Sequence, residues 1–110
     1  MCASILARWE STGDPSLRAF CLQRAQTLGI PGTEAALVSA ATRLVSELTP
    51  GTGFHPRPGY ETEAIAVAQI ATEYPSVVLA ELLLEITRLT SDRRIVTAGH
   101  ESIRSILDSL

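Results

Sequence analysis

Glycine and proline punctuate this chain so closely that no regular segment can run far. Gly13 before Asp14-Pro15, the run Gly29-Ile30-Pro31-Gly32, residues 49–60, Pro75 and Ser91-Asp92 divide it into short stretches. Within the stretches, apolar residues recur three and four apart rather than alternating, which is the period of an amphipathic helix. The pattern predicts an all-α fold: a compact bundle of five to six short helices, with a Pro/Gly-rich loop at 49-60. A chain of 110 residues matches one domain of ordinary size, so 1-110 is read as a single helical domain.

Each expected helix carries its own boundary chemistry. A short opening helix holds Ile5, Leu6 and Trp9. Asp14-Pro15 starts the second with a capping carboxylate and a proline whose missing N–H is not needed in the first turn. That helix carries Leu17, Phe20, Cys21 and Leu28 and stops at Gly29. Thr33 is expected to cap the third, whose apolar stripe runs through Leu37, Ala41, Leu44 and Leu48. A fourth, from about Glu61 to Tyr74, mixes Ala64, Ala68 and Ala71 with Ile65, Val67 and Ile70, small residues that let a neighbouring backbone approach. The fifth, about 75–90, is apolar at nine of fourteen positions from Ser76 to Leu89 and must be covered on nearly every side. Asp92 opens the last, although Ile95-Val96-Thr97 also fits a short extended piece.

Composition narrows the chemistry. All nine basic residues are arginine, and the chain has neither lysine nor asparagine, whose codons begin AA. Together with fourteen alanines, this points to a GC-rich genome, bacterial or phage. Without lysine there is no Schiff-base amine and no P-loop lysine. Cys2 and Cys21 are too few for a disulfide scaffold, and no charge-free stretch exceeds nine residues, so a reduced, cytoplasmic protein without a membrane span is expected.

Arg24-Ala25-Gln26 followed by Leu28-Gly29-Ile30-Pro31-Gly32-Thr33 resembles the turn of a helix-turn-helix, as in region 4 of bacterial sigma factors. That resemblance implies a nucleic-acid-binding regulator and covers under a dozen residues. The turn is one residue short. The following helix offers Thr33, Glu34, Ala35, Ala36 and Leu37 where a reader of base edges carries arginine, asparagine or glutamine. A net charge of -3 also leaves little to neutralise phosphate.

No motif for catalysis survives inspection. His100-Glu101 lacks a second histidine at the zinc-motif spacing, Gly51-Thr52-Gly53 follows no strand, and no nucleophile elbow occurs. Glu81 and Glu85 share a helical face, which suits acid–base work only if they are buried. A small enzyme using His55 or His100 with Glu61, Glu63 or Glu101 is the weakest alternative.

The reading that remains is a non-enzymatic regulator, without cofactor, metal or catalytic residues. It binds and modulates, by inhibition, a larger bacterial protein such as a transcription factor or defence complex. The expected partner-binding residues are Phe54, His55, Arg57 and Tyr60 of the stiffened loop, with Arg93 and Arg104 from a last-helix face that also carries His100. A homodimer interface is expected at Val78, Leu82, Leu89, Ile103 and Leu107, leaving Leu79, Leu83 and Ile86 for the core. Neither membrane nor nucleic acid is an expected partner.

Overall fold

The computed structural model describes residues 3–12, 14–49, 59–74 and 76–110. Those residues form six helices and no strand: α1 (Ala3–Ser11), α2 (Pro15–Leu28), α3 (Thr33–Leu48), α4 (Tyr60–Ala71), α5 (Val77–Leu89) and α6 (Arg93–Ser109). The protein is an all-α bundle, as the spacing predicts. Within the loop expected at 49–60, positions 50–58 lie outside the described residues.

Most helix ends follow from local chemistry. Asp14 accepts a hydrogen bond from the Ser16 N–H at 3.0 Å, and Asp92 accepts one from the Arg94 N–H at 2.9 Å. Gly29 ends α2 at φ 66. Its N–H donates to the Gln26 carbonyl and that of Ile30 to the Ala25 carbonyl, a paired closure that a side chain at Gly29 would strain.

Two boundaries differ from expectation. Gly32, not Thr33, occupies the N-cap of α3, because glycine accepts φ 91 there and its carbonyl takes the Ala36 N–H. Thr33 is the first helical residue, and its buried hydroxyl donates back to the Ile30 carbonyl at 2.6 Å, fastening the α2–α3 turn instead. Helix α4 closes at Ala71, and residues 72–74 continue only as turns. The Ile95-Val96-Thr97 segment is helical, since Asp92 has already nucleated α6 and Ile95 shares a buried stripe with Ser102 and Ile106.

The molecule measures 38 × 34 × 19 Å, and its thinnest dimension admits about two layers of helices of ~10 Å diameter. Helix α1 packs on α2, α2 on α4, and α3 on α5 and α4, while α6 lies against both α4 and α5. Leu22, Leu37, Leu44, Val67, Leu79, Leu83, Ile86 and Ile106 are almost wholly buried at the centre. Alanines at 64, 66, 68 and 71 bring α4 close to its neighbours. Gly99 does the same for α6, because a methyl at that position would collide with Thr87 Cγ2 on α5.

Candidate functional site

Two surface features stand apart from an ordinary solvated face. One is apolar, at the α5–α6 edge. The core stripe of α5 is Leu79, Leu83 and Ile86, as its period allows, which turns Leu84 outward at 46% exposure. Opposite it, α6 presents Leu107 at 57% and the half-buried Ile103. These three floor a trough of about 320 Å³ rimmed by His100, Arg104 and Asp108. Val77 and Val78 on α5, and Leu110 just past the end of α6, add further exposed apolar surface.

Within the expected dimer interface, Ile103 and Leu107 therefore meet in one trough, and Val78 is exposed. Leu82 is half-buried against the core and Leu89 is half-buried at the end of α5, so neither lines that trough. Arg104 stands on the rim, and Arg93 is exposed beside Ile65 and Gln69 of α4. Tyr60 packs partly into the core, with its hydroxyl 3.3 Å from the Thr90 hydroxyl. Phe54, His55 and Arg57 lie outside the described residues. Glu81 is exposed and Glu85 pairs with Arg88 at 3.1 Å in solvent, so the two carboxylates on α5 form a wet edge rather than a buried dyad.

The second feature is polar, and reading the sequence misses it. Arg18 sits on the buried stripe of α2 with Leu22 and Ala25, and Glu63 on the buried stripe of α4 with Val67 and Ile70. Arg18 Nε lies 2.7 Å from Glu63 Oε2, with the two side chains only 6% and 4% exposed. The N–H is not aimed along that line, so the contact is ionic rather than an aligned hydrogen bond. The Arg18 guanidinium also stacks 5.1 Å from the ring of the buried Trp9 on α1, and its Nη2 has no hydrogen-bond partner. The only advance signal is that each charge falls four and seven residues before core apolar positions on its own helix.

This centre opens into a cleft of about 410 Å³ between the end of α1 and the starts of α2 and α4, walled by α3. Glu10, Arg43, Glu47 and Tyr60 line it together with Arg18 and Glu63. Removing a charge from water costs several kcal/mol per ion, and a buried pair seldom returns more than that. A buried arginine bordering a polar cleft is thus a functional candidate on physical grounds.

Two other groups are electrostatically distinct. The Arg94 side chain bonds Asp92 and holds its carboxyl below the ordinary value of 3.8, while burial pushes the Cys21 thiol up against an opposing pull from Arg8. Cys21 is thereby kept as a protonated, inaccessible core thiol. Among the described residues, no three histidines, cysteines or carboxylates gather to hold a metal ion, and no helix is long and apolar enough to cross a membrane. No family model, curated protein or solved structure matches this chain.

Proposed function

We propose that the protein is a small non-enzymatic regulator that docks a larger protein, such as a transcription factor or a component of a defence complex, on its α5–α6 edge. The occupant is an amphipathic helix of that partner, laid over Leu84, Ile103 and Leu107, with Arg104 and Asp108 selecting the charges that flank its apolar face. Docking covers the partner's helix and inhibits by occlusion. The observation that carries this reading is the trough itself, in which large apolar side chains left half in water are ringed by charge. Burying a leucine contributes about 1.5–3 kcal/mol, so covering the exposed halves of Leu84 and Leu107 favours binding. The net charge of -3 favours a protein over a nucleic-acid partner.

The test compares the wild type with Leu84→Asp and Leu107→Asp in capture from native extract, followed by light scattering of the purified protein. The expected result is a stoichiometric foreign protein retained by the wild type and lost by both variants, with little dependence on salt. Capture unaffected by either variant overturns the reading. So does a homodimer that the same substitutions dissolve, since a second copy would then own the edge.

A further inference from the structure

We infer that α1 is a strap that releases from α2 as a unit while α2 to α6 stay folded, opening the seat of Trp9 on Arg18 to water. The reasoning starts from how little holds the helix. It rests chiefly on α2, whereas each of the other helices lies against at least two neighbours. Of its described side chains, Trp9 is buried and Ile5 half-buried, while Ala7, Arg8, Glu10 and Ser11 face water. Among these, Trp9 is the one full anchor.

The seat beneath that anchor is poor in hydrogen bonds. The indole Nε1 of Trp9 is buried without an acceptor, as is Nη2 of Arg18, and Nε of Arg18 meets Glu63 as a charge but not along the N–H. Each unpaired buried donor counts against the closed state, because water would satisfy it. The buried ion pair adds to this, since its charges recover hydration when the cover lifts. The Trp9 ring lies 5.1 Å from the Arg18 guanidinium, so lifting the ring frees the indole N–H and the stacked face of the guanidinium together. The polar cleft already borders Arg18 and Glu63, and water need not cross the apolar core to reach them. Burial of one indole is what resists release.

Two other openings fit less well. Fraying from the first turn of α1 would leave Trp9, in the last turn, seated. Departure of α2 together with α1 would uncover Leu22 and Ala25, both wholly buried, and break the packing of α2 on α4. A helix of nine residues is too short to persist alone in water, so α1 melts once released and its amides exchange with solvent.

Hydrogen exchange of the full chain, followed by NMR without urea and at subdenaturing urea, tests the strap. The indole N–H of Trp9, the chain's only tryptophan, gives one unambiguous signal. It is expected to exchange together with the amides of residues 7–12, roughly a hundredfold faster than the amides of Leu83 and Ile86 and with a much shallower urea dependence than global unfolding. Ala7→Gly, at an exposed position of α1, should speed indole exchange about fivefold. Glu101→Gly, exposed on α6, should lower the urea midpoint of global unfolding and leave indole exchange without urea unchanged. Arg18→Met combined with Glu63→Met should slow the indole about tenfold, because the charges that favour release are gone. Indole exchange as slow and as urea-dependent as that of the Leu83 amide overturns the strap, and so does an equal response to Ala7→Gly and Glu101→Gly. Protection that rises along α1 and leaves the indole closed is fraying and overturns it as well. An indole that exchanges no more slowly in the double variant overturns the buried pair as the cause of release.

Discussion

Gly99→Ala is the perturbation whose outcome the packing of α5 against α6 fixes most tightly. A methyl on residue 99 would collide with Thr87 Cγ2, while the Leu83 carbonyl lies at an ordinary 3.9 Å. Thr87 does not swing its methyl aside freely, because its hydroxyl donates to the Leu84 carbonyl at 2.7 Å and that bond sets the rotamer. The helices must therefore separate or the threonine must give up the bond, and overpacking of this kind costs about 1–3 kcal/mol. Against it stands the gain of ~1 kcal/mol that alanine brings over glycine inside a helix. The net loss is then roughly 0–2 kcal/mol. Thr87→Ser isolates the clash, since it deletes Cγ2 and keeps the hydroxyl. In that background Gly99→Ala should become neutral or stabilising, so the double-mutant coupling is about 1–3 kcal/mol. Urea unfolding of the four proteins, extrapolated to water, measures it. An effect of Gly99→Ala that is the same in both backgrounds, within the ~0.5 kcal/mol scatter of additive sites, would refute the close-approach argument.

Arg18→Met should cost about 3–5 kcal/mol, because it strands the Glu63 carboxylate in the core, whereas Arg18→Met combined with Glu63→Met should recover much of that loss. Urea titrations read both, and a double variant as unstable as the single one would show that the pair is not the source. Asp92→Ala should lower the melting temperature at neutral pH by removing the cap and the Arg94 contact of α6. The carboxyl's folded pKa is depressed, so its stabilisation is present above 3.8 and is lost as pH falls through the lower folded value. The gap in melting temperature between wild type and Asp92→Ala should accordingly narrow on acidification, and a gap independent of pH would exclude the charged cap.

What the sequence made legible was whatever local chemistry decides. Asp14-Pro15, Gly29-Ile30 and Asp92 each act on backbone groups within a few residues, so the helix ends they set were readable. Thr33 misleads because two residues compete for one cap, and only the φ of 91 that Gly32 adopts resolves the competition. The period of α5 allows more than one inward stripe. Leu79, Leu83 and Ile86 win because α3 and α6 both lie against the helix, and that is a tertiary fact. Arg18 and Glu63 were illegible for the same reason. Arg18 alone reads as a surface charge and Glu63 as one of several carboxylates open to a small enzyme, and only the packing of α2 on α4 makes them partners. Tyr60, expected at a partner surface, is half-buried and lines the polar cleft, because α4 begins at that residue and turns its ring against the core.

The polar cleft and the apolar trough draw on different helices, and that separation gives their assignments independent tests. Among the described residues, the cleft is built from α1, α2, α3 and α4, and the trough from α5 and α6. Helix α1 supplies Glu10 and Ser11 to the cleft, followed by Thr12, and is held chiefly on α2, with Trp9 stacked on Arg18 as its buried anchor. Helix α1 therefore opens locally at less cost than the helices packed at the centre, and Trp9 is its reporter. The trough has no such dependence, since α5 and α6 are fixed by Leu83, Ile86, Ile95 and Ile106, all almost fully buried. A substitution at Leu107 should thus leave Trp9 silent, and one at Arg43 should leave the α5–α6 edge able to dock. If Leu107→Asp instead shifts Trp9 emission, the two surfaces share one conformational equilibrium, and a change at the cleft bears on docking at the edge.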